Sequence, residues 1–303
     1  MQDIFSDEAV YGGNVPVSAK NPTNKAASIR QKLLNYAKAN GQDFQRTLDT
    51  YAIECILDRL AHSAYAERFL LKGALLFAAW KGLGNRPTRD IDLMGRGVKE
   101  LDSIVRIFKE IVSVDIKDDC IVFFLNRVEG LRIKEDDEYE GIRILVNGEL
   151  SGATFKIQID IGFGDSVTPS PGHASFPRIL DMRPFSLLMY KPETAFAEKL
   201  EAIVSRGMPN SRMKDYFDLF VLISDHIVQA ELVRKSVAST FERRKTTLPV
   251  SCPIGLSETF AQDTTKIAQW NGFLKKSRLD AGNLSDVIAA IRAFVNKTFE
   301  VHW

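Results

Sequence analysis

The chain has 303 residues, 45% hydrophobic and 26% charged, enough to bury a sizeable core as one large domain or two intimate ones. Its 40 basic and 39 acidic residues nearly cancel, which excludes a protein drawn as a whole onto nucleic acid or an anionic membrane. Cys55, Cys120 and Cys252 are too few and too widely spaced for a disulfide framework or a zinc site, and they read as reduced core residues. The N-terminal residues lack the basic start and apolar run of a signal peptide, and no stretch approaches 18 uninterrupted apolar residues. A soluble cytoplasmic protein is the expectation.

Residues 1–22, with Gly12, Gly13, Pro16 and Pro22 and no clear period, read as a loosely packed arm. From Pro22 to about Ser63 the spacing of Ile29, Leu33 and Leu34, then Leu48, Ile53, Ile56 and Leu60, predicts two amphipathic helices broken at Gly41. Residues 69–80 carry an apolar run interrupted by Lys72-Gly73, which predicts a short strand, a tight turn and a helix start whose free N–H groups suit an anion. Asp90 to Met94 alternates like a half-buried strand. A helix over Val98–Val114 and strands over Cys120–Leu125, Ile142–Val146 and Thr154–Ile161 follow, with the acidic run Glu135–Glu140 as a solvated hairpin tip. Beyond Pro184 the pattern turns helical, with helices expected at Glu193–Val204, Arg212–Ser224, Val228–Arg244, Ser257–Gly272 and Leu284–Glu300. The fold class is α+β: a mixed sheet core flanked by helices (residues 23–183) and a helical C-terminal half (residues 184–303) that completes the site.

Asp90 and Asp92 stand two apart in a strand-like run, so both carboxylates point to one face and suit one or two hard cations, while Ile91 and Leu93 face a core. Asp-x-Asp is also common in surface turns. Two-metal phosphoryl transfer draws its acids from neighbouring strands. Asp160 ends an otherwise apolar strand on the face of Lys156 and Gln158, beside the first pair or in a plain strand-end turn. Further along, Lys199 sits on the margin of the Phe196, Leu200, Ile203 stripe with Arg206 two turns on. Both cations can meet a triphosphate in a cleft, or Lys199 can snorkel to solvent. Asp215 and Asp218 lie in a helix apolar nearly all round and need cationic partners, with Lys199, Arg206 and Arg212 as candidates.

In order along the chain, Arg59-Leu-Ala-His-Ser-Ala-Tyr, Phe69-Leu-Leu-Lys-Gly-Ala-Leu-Leu, Arg86-Pro-Thr-Arg-Asp-Ile-Asp-Leu, Ile157-Gln-Ile-Asp-Ile-Gly-Phe-Gly-Asp, Ala197-Glu-Lys-Leu-Glu-Ala-Ile and Arg212-Met-Lys-Asp-Tyr-Phe-Asp-Leu resemble the AbiEii-type nucleotidyltransferase toxins of abortive-infection toxin–antitoxin systems, within the DNA polymerase β-like superfamily. The resemblance implies a nucleotidyltransferase-like sheet. It makes Asp90 and Asp92 the metal-binding pair, Asp160 the third carboxylate, Lys199 the motif lysine and Asp215 with Asp218 the Asp-x-x-Asp motif. Thr88 takes the position of the first motif's hydroxyl residue, and Arg86, Lys72, Gly73 and Arg206 fall on the substrate side. Where the wider superfamily has Gly-Ser, this chain has Gly73-Ala74.

The implied activity is Mg²⁺-dependent transfer of a nucleoside monophosphate from an NTP to a hydroxyl acceptor, such as the 3′ end of tRNA, with a cognate antitoxin as partner. Basic clusters at Arg234-Lys235, Arg243-Arg244-Lys245 and Lys275-Lys276-Ser277-Arg278 suit RNA phosphates or plain solvated helix faces. A phosphotransferase using the same pocket and a catalytically silent nucleotide-binding module are the competing readings.

Overall fold

The computed structural model describes residues 24–82, 88–136 and 139–303; the expected arm 1–22 and the loop residue Arg86 lie outside them. Helices α1 (Asn24–Ala39) and α2 (Phe44–Ala61) form the predicted pair. Gly41 between them has a φ of +60°, a conformation open to glycine, and the Asp43 side chain caps α2 by accepting from the Arg46 backbone N–H. Strand β1 (Phe69–Lys72), a two-residue turn and α3 (Leu75–Lys81) follow, then β2 (Asp90–Gly95). Helix α4 (Leu101–Val112) buries Ile104, Ile107, Phe108 and Ile111, one apolar stripe at helical spacing.

The six-residue strand expected at Cys120–Leu125 is only β3 (Val122–Phe123), because Leu125–Arg127 coils into a 3₁₀ turn. Strands β4 (Glu129–Asp136), β5 (Tyr139–Leu150) and β6 (Ala153–Phe163) run as an antiparallel meander, and the acidic run spans the β4–β5 connection. After β7 (Gly172–Phe176), the helical reading beyond Pro184 needs correction: Phe185–Met189 is strand β8, paired with β7 and β1. Its five residues are too few for periodicity to separate strand from helix. The helices α5 (Pro192–Arg206), α6 (Met213–Ser224), α7 (Ala230–Arg243) and α10 (Leu284–Phe299) match expectation closely. The helix predicted over Ser257–Gly272 divides into α8 (Glu258–Gln262) and α9 (Thr264–Ser277), since the Asp263 carboxylate caps a new helix by accepting from the Lys266 backbone N–H.

All eight strands join one mixed sheet in the order β3-β5-β6-β2-β1-β8-β7, with β4 also paired to β5. β2 is therefore interior, parallel to β6 on one side and antiparallel to β1 on the other. One apolar cluster unites the sheet with α1, α2 and α4, and a second unites α5 to α10. Phe77 of α3 belongs to the second, so the short helix beside the Gly73 turn ties the two halves together. Among the described residues no helix is long and apolar enough to cross a membrane.

Candidate active site

Strand register builds the site. Lys72 on β1 lies opposite Asp92 on β2, Asp92 opposite Asp160 on β6, and Asp160 opposite Arg143 on β5. Residues in register share a face, so four strands carry a row that reads cation, acid, acid, cation. Like charges directly across a strand pair destabilise a sheet. Asp92 and Asp160 stand in register on parallel strands, with Lys72 and Arg143 at the two ends of the row to offset them. Asp90 lies one pleat away on the same face, half-buried like Asp92, while Ile91 and Leu93 are buried on the opposite face.

The electrostatics differ along the row. Asp160 is held by a two-point Arg143 contact, Nε to Oδ1 at 2.8 Å and a terminal N–H to Oδ2 at 2.9 Å, and by Gln158 at 3.0 Å. Burial raises the Asp92 carboxyl above the usual carboxylate range, with the Asp160 and Asp90 charges adding to it against Lys72 and Lys214. Asp90 is raised too, first by burial and then by Asp160. Gly73 fits this crowding: its φ is +73°, and an added Cβ would fall 2.0 Å from Asp92 Oδ2. Only a residue without a side chain lets the turn lie against the carboxylate. Gly73→Ala is expected to displace Asp92 and lower kcat about a hundredfold at saturating NTP, the usual cost of a misplacement near 1 Å; a rate within twofold of wild type would contradict the contact.

Facing the row, α5 and α6 supply the lysine and the Asp-x-x-Asp pair. Lys199 Nζ lies 3.2 Å from Asp215 Oδ1 and 2.7 Å from Asp218 Oδ2, and Arg212 Nε lies 2.7 Å from Asp215 Oδ2. Both carboxylates are buried. Burial pushes Asp215 up, but Lys199, Arg212 and Lys214 pull it down further, and its net pKa is below the ordinary value. Asp215 is therefore ionised at neutral pH. A cleft with an empty volume of about 820 Å³ opens between these elements, and Gly73, Asp92, Lys199, Arg212, Lys214 and Asp215 all line it.

The other predicted residues divide between this cleft and its surroundings. Lys72 borders the cleft and is ion-paired 3.2 Å from Asp165. Thr88 contacts the backbone of Asp90 through its Oγ1, at 3.3 and 3.4 Å, and faces a neighbouring pocket rather than this cleft. Arg206, in the last turn of α5, is not among the described residues that line the cleft. The basic run Arg243-Arg244-Lys245 needs a partial correction as an RNA-binding face. Arg244 turns inward, 2.7 Å from Glu201 and 3.4 Å from Asp165, and Arg243 Nε donates to the Gly164 carbonyl at 2.6 Å.

Sequence reasoning missed Asp165, Glu198, Glu201 and Arg143. The Arg143 signal was available, since a hairpin register between residues 142–150 and 153–161 sets Arg143 across from Asp160. Glu198 lines the cleft, burial holds its carboxyl above the usual range, and its Oε1 is buried without a hydrogen-bond partner among the described residues.

Hard carboxylate oxygens fit a divalent cation, and two of the three acids, Asp90 and Asp92, have pKa values raised first by burial and then by neighbouring carboxylates. Among the described residues no group of three or more His, Cys, Asp or Glu side chains is gathered closely enough to hold an ion, and Arg143 occupies both Asp160 oxygens. Asp90 and Asp92 are the two of these acids without a guanidinium on their oxygens among the described residues, and could hold a cation.

The family model described as "Nucleotidyl transferase AbiEii toxin, Type IV TA system" matches residues 55–296, a span that contains the whole charged row, Lys199 and the Asp-x-x-Asp pair. The chain belongs to the AbiEii nucleotidyltransferase toxin family. It is accordingly a nucleotidyltransferase, and membership in a type IV toxin–antitoxin family implies an NTP substrate and an antitoxin partner. None of the curated proteins compared with the chain matches it. Similar solved structures include JHP933 from Helicobacter pylori, at 14% identity and a TM-score of 0.49 over 85% of this chain and 93% of that one. Another is an antigenic nucleotidyltransferase-like protein from Paracoccidioides brasiliensis, at 15% identity and a TM-score of 0.36 over 81% and 93%.

Proposed function

We propose that this AbiEii-family chain moves a nucleoside monophosphate from an NTP to the 3′ hydroxyl of an RNA acceptor such as tRNA, in the cytoplasm, with Mg²⁺ as its metal. The observation that carries the reading is the pairing of Asp92 with Asp160 across adjacent parallel strands, opposite a cleft wall bearing Lys199. Asp90 and Asp92, with Asp160 once Arg143 shares it, are the residues that would hold Mg²⁺. When bound, that cation supplies charge neutralisation at the α-phosphate and a more acidic acceptor hydroxyl. The bond from the acceptor oxygen to the α-phosphorus forms as the bond to the β-phosphate oxygen breaks, the hydroxyl proton passes to water, and pyrophosphate leaves.

Lys199, Arg212 and Lys214 on the cleft wall suit the β- and γ-phosphates, where fixed cations in a partly dry site act more strongly than in water. The Gly73-Ala74 turn brings backbone close to Asp92 where the wider superfamily offers a serine. Asp215 serves Lys199, since a carboxylate with a lowered pKa is a poor base and a good anchor, and Asp218 holds the same lysine at 2.7 Å. The test is incubation of purified protein with Mg²⁺, each α-³²P-labelled NTP and total tRNA, beside Asp90→Ala. Label in RNA with wild type alone is expected. Equal label in both would remove the carboxylates from the chemistry, and no label with any NTP would leave the catalytically silent binding module in front.

A further inference from the structure

A second pocket opens beside the first, with an empty volume of about 1160 Å³ between α1, α2 and the end of α9. Ala74 lines both cavities, and Thr88, two residues before Asp90, stands on the wall of the second. Thr88 Oγ1 contacts the backbone of Asp90, so this wall of the pocket adjoins the strand that carries the carboxylate pair. Its apolar surface includes Ile53, Leu75, Phe176 and Leu279, with the Tyr36 ring at its edge. Such a mixture of aliphatic and aromatic surface suits the face of a base.

The charges around this pocket are uneven. Arg46 of α2 and Arg278 at the end of α9 both line it. Arg46 has no ion-pair partner among the described residues, and Arg278 donates only to a neutral group, the Gly41 carbonyl at 3.1 Å. Burial lowers the Arg46 pKa, and the Arg278 and Arg89 charges lower it further, so like charges are crowded here. Among the described residues no carboxylate forms an ion pair with either arginine. Asp49 accepts from Gln45 and is raised by burial, and burial raises Glu54 to about 8, which leaves it largely protonated at neutral pH. Glu54 lines the pocket with its Oε2 buried, making no hydrogen bond among the described residues but lying 3.8 Å from the Arg178 guanidinium as an ion pair. Two guanidinium groups in one cavity, Arg46 and Arg278, neither with an ion-pair partner among the described residues, describe a site for an anion.

The phosphates of an NTP already have Lys199, Arg212 and Lys214 on the far side of Ala74. An additional anion at Arg46 and Arg278 therefore belongs to the other substrate. We infer that this pocket holds the terminal nucleotide of a single-stranded polynucleotide acceptor, its base on the apolar floor and its phosphodiester on Arg46 and Arg278. The inference rests on the reading of the first cleft as the NTP site.

The test measures binding rather than turnover, so that it fails separately from that reading. A dye-labelled single-stranded oligoribonucleotide is titrated with the full chain at several salt concentrations, using wild type, Arg46→Ala, Arg46→Lys and Arg278→Ala, and a fluorescent NTP is titrated in parallel. Each alanine variant is expected to weaken oligonucleotide binding about tenfold at low salt and to lower the slope of log K against log salt by about 0.7, one single-strand phosphate contact. Arg46→Lys restores the slope, and NTP affinity stays at the wild-type value. An unchanged slope in Arg46→Ala overturns the inference, as does an equal loss of NTP affinity, which would give the pocket to the base of the NTP. Transfer of label to RNA with an unaltered acceptor KM in Arg46→Ala would sink this inference and leave the proposed reaction standing.

Discussion

Lys199→Ala is expected to lower kcat/KM for the NTP by about 10²–10³-fold and to destabilise the fold by about 3 kcal/mol. The two effects share one cause. Lys199 Nζ lies within 3.2 Å of both Asp215 and Asp218, whose side chains are 1% and 0% exposed, and withdrawing the cation leaves two buried anions with less than their required compensation. Arg212 remains on Asp215, which keeps the loss nearer the lower end for a broken buried pair. The pH dependence follows from the lowered Asp215 pKa. A group depressed in the folded state contributes stability that is present above its unfolded pKa and lost as pH falls through the folded value. In Lys199→Ala that pKa rises, so acid unfolding begins at a higher pH than in wild type. Thermal denaturation across the acid range, with initial rates at neutral pH, checks both; a variant that loses activity with no change in stability would mean the lysine does not hold the two helices together.

Asp92→Asn is expected to do the opposite to stability while removing activity by about 10³-fold. Asp92 sits in an interior strand with Asp160 directly beside it, and burial raises its pKa. For a carboxyl raised in the folded state, folding favours the protonated form, so stability declines as pH climbs from the ordinary carboxylate value through the raised one. Without divalent cation at pH 8, the asparagine variant is therefore expected to be more stable than wild type by about 1 kcal/mol, and the difference to shrink as pH falls and wild-type Asp92 takes up its proton. Adding Mg²⁺ should reverse the order. Wild type gains about 2.7 kcal/mol when the ion exceeds its Kd a hundredfold, and the variant gains little. Melting curves with and without Mg²⁺ decide it: an asparagine variant less stable than wild type in the absence of metal would show that Asp92 is already compensated by Lys72.

The parts of this site that the sequence made legible are those carried by local period. Alternation over residues 155–161 sets Asp160 on the open face with Ile157, Ile159 and Ile161 buried beneath, and the same alternation places Asp90 and Asp92 above Ile91 and Leu93. Long amphipathic helices such as α10 announce themselves in the same way. Strand β4 goes unmarked because five of the eight residues of Glu129–Asp136 are charged, and Leu131 and Ile133 alone make too short an alternation to signal a strand. β7 and β8 are five residues each, short enough for their pattern to fit either element.

Charge partnerships were harder still. Asp165 and Arg244 are 79 residues apart, and no local pattern says that one basic run points inward to meet an acid at the end of a sheet. The Gly73-Ala74 departure from the superfamily's serine was visible in the sequence, but its meaning was not. Only the close approach of Gly73 to the Asp92 carboxylate explains why the glycine is required.

The most direct measurement follows both ends of the NTP at once: α-³²P- and γ-³²P-labelled NTP incubated in parallel with wild-type protein, Mg²⁺ and RNA acceptor, with the released product identified. Nucleotidyl transfer puts only the α label in the acceptor and releases one pyrophosphate for each nucleotide joined. Label from the γ position in the acceptor, with nucleoside diphosphate released, would contradict the account and make the same pocket that of a phosphotransferase.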